Sequence, residues 1–105
     1  MKSSLLLATG LAVMVAASPA FAVDGATLYQ TKTCLACHGK DGKTPLMPNY
    51  PKIAGQSAKY IEEQMLDIKS GVRANRDAAA MKGVMGLVSE DEIKVLADYI
   101  SKMKP

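Results

Sequence analysis

The sequence predicts an all-α fold. Serine residues precede two segments with the apolar spacing of amphipathic helices. After Ser57, apolar side chains recur at Ile61, Met65 and Ile68, and a second stripe follows Ser89. No segment shows the strict apolar–polar alternation of a half-buried strand. With 105 residues, the chain has the length of a single domain.

The N-terminal segment has the pattern of a secretory signal peptide. Lys2 precedes an uncharged run that closes on Ala20-Phe21-Ala22, which matches an A-x-A cleavage site. We therefore predict that residues 1–22 are cleaved and that the mature domain, residues 23–105, resides in the periplasm. No later segment is apolar and long enough to span a bilayer.

The predicted mature domain has little material for a core. It contains four tyrosines but neither tryptophan nor phenylalanine, because Phe21 leaves with the signal peptide. A domain this small usually needs a disulfide, a metal or another staple. We therefore expect a non-protein group to fill its centre.

The charge pattern excludes some functions. Without Lys2, 12 basic residues face 10 acidic ones, and the charges are interspersed along the chain. There is no basic block with interleaved aromatic residues, so nucleic-acid binding is not expected.

The first half of the mature chain predicts one helix and one long loop. Asp24 is a suitable N-cap for a helix over residues 25–34, "GATLYQTKTC". Residues 39–56 hold three glycines and three prolines, which favours a loop. A loop of this length in so small a domain suggests that it wraps around something.

The second half predicts three helices. Ser57 caps the first of them, and Gly71 supplies its C-terminal stop. A weaker helix is predicted over residues 77–82. The last begins with the capping box "SEDE" at Ser89 and continues with an apolar stripe formed by Ile93, Leu96, Ala97 and Ile100.

The motif Cys34-Leu35-Ala36-Cys37-His38 contains the chain's only cysteines and its only histidine. A redox dithiol of the thioredoxin type sits in a βαβ setting, which this chain lacks. Structural zinc takes four ligands, and the motif offers three. C-x-x-C-H is also the attachment motif of haem c, in which two thiols bond the porphyrin and the histidine ligates iron. With the signal peptide, the helical pattern and the weak core, haem attachment is the favoured prediction.

The motif does not identify the second axial ligand. The chain has no second histidine, and methionine is the partner associated with electron-carrying cytochromes c. Lysine, tyrosine or an open site are alternatives. The mature chain offers five methionines, namely Met47, Met65, Met81, Met85 and Met103.

Three stretches of the mature chain resemble the small bacterial class I monohaem cytochromes c. They are "DGATLYQTKTCLACHGKDG", "PNYPKIAGQSAKYIEEQMLDIKSGVRANRD" and, after a methionine, "LVSEDEIKVLADYI". The resemblance implies the cytochrome c fold, with about four short helices and a long loop around one covalent haem. It also implies a close crossing of the first and last helices at four residues, Gly25, Tyr29, Leu96 and Tyr99.

The resemblance further implies the iron ligands. Met81 precedes Ser89 by the family's spacing and is the expected axial partner of His38, with Met85 as its rival. Pro51 matches the proline whose carbonyl accepts the Nδ1 proton of the ligating histidine, with Pro48 as runner-up.

Two polar residues, Arg73 and Asn75, are candidates for contact with a haem propionate. Solvated surface is the equally weighted alternative for both.

The resulting functional prediction is a monomeric periplasmic electron carrier that is not itself an enzyme. One haem c per chain, ligated by histidine and methionine, would exchange electrons by outer-sphere transfer with redox partners that dock transiently. Two alternatives stay open: the haem subunit of a larger periplasmic oxidoreductase, and a ligand-binding haem protein with an open sixth site.

Overall fold

The computed structural model describes residue 10 and residues 23–105; the predicted signal peptide otherwise lies outside the described residues. Within residues 23–105 the chain forms five helices and no strand, which confirms the all-α prediction. The helices are α1 (Gly25–Thr31), α2 (Cys34–His38), α3 (Ala58–Ser70), α4 (Ala78–Met85) and α5 (Glu90–Ser101).

The first predicted helix, residues 25–34, ends early at Thr31, and the motif forms an additional helix, so residues 23–105 contain five helices where about four were expected. Its N-terminus is as predicted, since the Asp24 side chain accepts a hydrogen bond from the Thr27 amide at 2.8 Å. Thr33 then adopts a left-handed backbone with φ of 64°, which cannot continue a right-handed helix. The break lets the cysteine–histidine motif form a helix of its own.

The other helix boundaries follow the sequence signals closely. Ser57 caps α3 through the Tyr60 amide, and Gly71 ends it in the left-handed conformation. Ser89 and Glu92 form both bonds of the predicted capping box. The weak helix predicted over 77–82 runs further, to Met85.

The segment between α2 and α3 is a loop, as predicted, and it is held by backbone hydrogen bonds. The Leu46 amide donates to the Cys37 carbonyl at 3.0 Å, which fastens the loop to the motif. The amides of Ile53 and Ala54 both donate to the Gly42 carbonyl. The Gly55 amide donates to the Ile100 carbonyl, so the loop's end rests on α5.

The core lies between α5 and the helices that pack on it, α1 and α3, while α4 packs on α3. All four residues of the apolar stripe predicted for α5 are buried: Ile93, Leu96, Ala97 and Ile100. None of the helices in the described part of the chain is both long and apolar enough to cross a membrane.

The predicted crossing of the first and last helices is present and very tight. A Cβ placed on Gly25 would lie 2.3 Å from the Cβ of Tyr99, so only glycine permits this approach. The rings of Tyr29 and Tyr99 pack with centroids 5.8 Å apart. Glycine thus sets the distance between α1 and α5, and the two tyrosines fill the space beside it.

We predict that Gly25→Ala destabilises the haem-loaded protein by about 1–3 kcal/mol, because the added methyl forces α1 away from α5. Denaturant unfolding followed by circular dichroism measures the change. Gly83→Ala in α4 is the control, because a methyl group added there would meet no neighbouring atom within 4 Å. That variant should gain about 0.5–1 kcal/mol from helix propensity. Equal stability of Gly25→Ala and the wild type would contradict a close crossing.

Candidate cofactor site

A cavity of about 390 Å³ opens on the cysteine–histidine motif. This volume lies within the range of ligand sites in proteins. Every helix except α1 contributes to its wall. The wall has an apolar part formed by α3, α4 and α5, and a polar part formed by the loop and the segment before α4.

His38 is buried, and its hydrogen bond fixes the chemistry of its ring. Nδ1 lies 2.9 Å from the carbonyl oxygen of Pro51. A carbonyl only accepts, so Nδ1 carries a proton, and in the neutral imidazole Nε2 then keeps its lone pair. His38 lines the cavity and makes no other side-chain hydrogen bond to the described residues. In that form Nε2 could bind a metal, with Pro51 orienting the ring.

Cys34 and Cys37 line the same cavity, and neither forms a disulfide. Burial raises the pKa of the Cys34 thiol to about 11, and the nearby Cys37 adds to the shift. A redox-active cysteine needs the opposite, a lowered pKa that supplies thiolate at neutral pH. The burial of Cys34 therefore disfavours the redox dithiol that the C-x-x-C spacing left open.

The methionines divide into cavity-lining and distant ones. Met81 and Met85 lie one turn apart in α4, and both line the cavity, as does Met65 in α3. Met85 is among the most buried side chains, whereas Met81 is only partly buried beside the core. Met47 and Met103 do not line the cavity.

Polar side chains surround the cavity on the side of the loop and the segment before α4. Arg73 and Asn75 both line it, and Arg73 donates to the side-chain oxygen of Gln64 at 2.9 Å. Asn49 of the loop donates to Asp77 at 2.7 Å, which joins the loop to the start of α4. Gln64, Asn49 and Asp77 were not predicted from the sequence, because their roles depend on contacts between segments.

A tyrosine expected only in the helix crossing also supports the motif. The hydroxyl of Tyr29 donates to the Gly39 carbonyl at 2.6 Å, directly after His38. Burial raises the pKa of Tyr29 to about 12. The phenol therefore remains a hydrogen-bond donor throughout the neutral range.

A lysine near the end of α3 was likewise missed. Lys69 Nζ donates to the carbonyls of Met85 and Val88, at 2.8 and 2.6 Å. The available signal was its position four residues after Met65, which places it beside the buried stripe of α3.

The residues of the cavity fit a haem c. Two thiols suit its two thioether bonds, the lone pair of His38 Nε2 suits one axial position, and the methionines of α4 offer a thioether for the other. In the described part of the chain, no three His, Cys, Asp or Glu side chains are grouped to hold a metal ion alone.

Comparison with known proteins decides the family. The family model described as "Cytochrome c" matches residues 22–104. The chain belongs to the cytochrome c family. This membership implies haem c binding, and it confirms the resemblance drawn from the three sequence stretches.

Relatives and a solved structure agree with this assignment. The chain is 39% identical to "Cytochrome c4" of Pseudomonas aeruginosa over 96% of this chain and 47% of that protein. It is 35% identical to "Cytochrome c-553" of Nitratidesulfovibrio vulgaris over 82% of each chain. The crystal structure of reduced cytochrome c4 from Pseudomonas stutzeri superposes with a TM-score of 0.68 at 30% identity, covering 76% of this chain and 46% of that one.

The relatives differ from this chain in length. The chain spans about half of the cytochromes c4 that it matches, from 47% to 50% for three of them. It covers most of the shorter relatives, including 86% of "Cytochrome c-554(548)" of Halomonas halodenitrificans. The similarity therefore concerns one cytochrome c domain.

We predict that Tyr29→Phe destabilises the haem-loaded protein by about 1–3 kcal/mol, because the Gly39 carbonyl loses its donor. Tyr99→Phe is the control, since Tyr99 packs against the core outside the cavity wall and its hydroxyl makes no hydrogen bond to the described residues. Denaturant unfolding at a series of pH values measures both variants.

The stability difference between the wild type and Tyr29→Phe should decrease at high pH. Tyrosine has an ordinary pKa of about 10 in the unfolded chain, and the folded pKa is higher. The advantage of the wild type over Tyr29→Phe should therefore be complete below pH 10 and decline as the pH rises toward 12. An advantage that stays constant over this interval would contradict the buried phenol.

Proposed function

We propose that this protein is a periplasmic electron carrier with one haem c per chain, and that it is not an enzyme. The observation that carries the proposal is the convergence of Cys34, Cys37, His38 and the α4 methionines on a single cavity. The chain has only one C-x-x-C-H motif, which supports one haem per chain. The signal-peptide pattern of residues 1–22 supports export.

Four residues would hold the cofactor. Cys34 and Cys37 would form the thioethers, and His38, oriented by Pro51, would ligate iron through Nε2. Met81 would supply the second axial ligand. When bound, haem c supplies an iron that changes between the ferric and ferrous states by one electron.

Met81 is the better candidate than Met85 because of its burial. The Met85 side chain is 1% exposed and already packed within the core. The Met81 side chain lies at the edge of the core and on the cavity wall, so it can meet a ligand without unpacking the interior.

Two protein ligands on the iron would determine the type of reaction. His38 and Met81 would leave no position on the metal for a substrate, so electrons would pass by outer-sphere transfer. Histidine–methionine ligation raises the reduction potential, which suits a carrier. A closely packed protein site around the haem would change little in geometry between the two oxidation states, and this would keep the barrier to transfer low.

The surface beside the motif suits a transient contact. Leu35 lies between the two cysteines, Leu46 is hydrogen-bonded through its amide to Cys37, and Met47 follows Leu46. All three apolar side chains are exposed, Leu46 by 72%. We name these three residues the motif patch. Small apolar contacts of this kind allow the rapid release that a shuttling carrier needs.

The alternative function is a haem subunit that remains bound to a catalytic partner. A relative in Thiomonas intermedia, 34% identical over 76 residues, is named "Thiosulfate dehydrogenase electron acceptor". According to its name, that relative accepts electrons from an enzyme. In such a complex the motif patch would be covered permanently, and the protein would elute from a periplasmic extract together with its partner.

We predict that the oxidised wild-type protein shows the sulfur-to-iron charge-transfer band of a methionine ligand and that Met81→Leu abolishes it. Met85→Leu should keep the band and lose less than about 1.5 kcal/mol of stability, because leucine fills a similar volume. Visible spectroscopy of the oxidised proteins, after acid–acetone extraction has shown the haem to be covalent, gives the result. A band that survives Met81→Leu and disappears in Met85→Leu would transfer the ligand role to Met85.

We predict that Leu46→Glu slows electron self-exchange between oxidised and reduced copies by about tenfold or more, because like charges would meet at the contact. NMR line broadening in mixtures of the two oxidation states measures this rate without an external partner. Val72→Glu is the matched control, since Val72 is 80% exposed and lies outside the motif patch. Equal slowing by both substitutions would show that the effect does not depend on the position of the added charge, and it would contradict docking at the motif patch.

A further inference from the structure

Helix α4 carries the proposed methionine ligand, yet few of its residues are buried. It is eight residues long, and only its first and last residues, Ala78 and Met85, are buried. The side chain of its N-cap residue, Asp77, makes no capping hydrogen bond. A helix this short is not stable in isolation, so its position depends on what it packs against. Among the described helices it packs on α3 alone.

Lys69 supplies a strong link between α3 and α4. Its partly buried ammonium group donates to the carbonyls of Met85, the last residue of α4, and of Val88. Carbonyls at the C-terminus of a helix carry partial negative charge, which favours a cation beside them. The Met85 carbonyl also accepts from the Val88 amide at 3.1 Å, so Lys69 adds a second, charged donor that comes from α3. Hydrogen bonds of this charged type are stronger than neutral ones.

We propose that Lys69 is a positioning residue for the axial methionine. By holding the C-terminal end of α4 on α3, it keeps Met81, one turn earlier, directed into the cavity against competing ligands. This inference rests on the proposed ligation by His38 and Met81.

Lys32 provides a comparison, because it binds the turn between α4 and α5, residues 86–89. Its Nζ donates to the Leu87 carbonyl at 2.8 Å and lies 3.7 Å from a carboxylate oxygen of Glu92. Leu87 is beyond the end of α4, and Glu92 belongs to α5. Lys32 therefore stabilises the turn and α5 and does not hold the last residue of α4.

The test uses the oxidised, haem-loaded protein and imidazole, a ligand that binds only after the methionine has left the iron. Its apparent affinity includes the free energy of releasing the methionine. Loss of the charge-transfer band during titration gives the dissociation constant, and denaturant unfolding followed by circular dichroism gives the global stability.

We expect Lys69→Met to bind imidazole about tenfold more tightly than the wild type, because the charge-assisted bond to the last residue of α4 is lost. Lys69→Arg, which keeps the charge and the donors, should stay near the wild type. Lys32→Met should lower the unfolding midpoint and leave imidazole affinity unchanged. If Lys69→Met fails to accumulate, Lys69→Gln, with one neutral donor group, should show a smaller increase of the same sign.

Two results would overturn the proposal. One is a Lys69 variant that lowers the unfolding midpoint while its imidazole affinity equals that of the wild type. The other is an equal gain in imidazole affinity from Lys32→Met, which would show that the turn between α4 and α5, and not Lys69 in particular, positions the methionine. A wild-type protein without the charge-transfer band would be a different result, because it would refute the methionine ligation itself.

Discussion

Gly25 lies against the Cβ and ring of Tyr99, and this contact lets α1 and α5 approach more closely than any larger residue would allow. Residues that neighbour this contact on both helices support the cavity and the motif. Tyr29, one turn after Gly25, reaches both the Tyr99 ring and the carbonyl that follows His38. Ile100, next to Tyr99, lines the cavity and accepts a bond from the loop through its carbonyl. The crossing thereby connects the core to both sides of the motif.

The two proposed axial ligands are supported very differently. His38 directly follows a cysteine that would be bonded to the haem, its ring is held by the Pro51 carbonyl, and Tyr29 holds the next residue. Met81 lies on a short helix that packs on α3 alone among the described helices. The methionine side of the site is therefore the side at which mobility and ligand exchange are expected to begin. Lys69 of α3 donates a hydrogen bond to the last residue of that helix, so it affects the position of Met81 more than a lysine on a well-supported helix would.

Local signals in the sequence were sufficient for much of the fold. Ser57 and Gly71 bound α3, and the capping box begins α5, because caps involve residues only a few positions apart. The break at Thr33 and the extension of α4 to Met85 were not predicted. In the first case the strained backbone of one residue overrides a continuous helical pattern. In the second, packing of Met85 in the core continues a helix that propensity alone would end near Gly83.

The sequence by itself determined which chemical groups the protein can bring to a site, because the C-x-x-C-H motif and the candidate methionines are fixed by residue type and spacing. Tertiary structure decided how these groups are arranged and supported. It brings α4 and the loop to one cavity, gives Met81 and Met85 different burial, and places Lys69 on two carbonyls sixteen and nineteen residues away. Such contacts join segments distant in the chain, and no local periodicity encodes them. They depend on how closely the helices pack, which only the folded chain establishes.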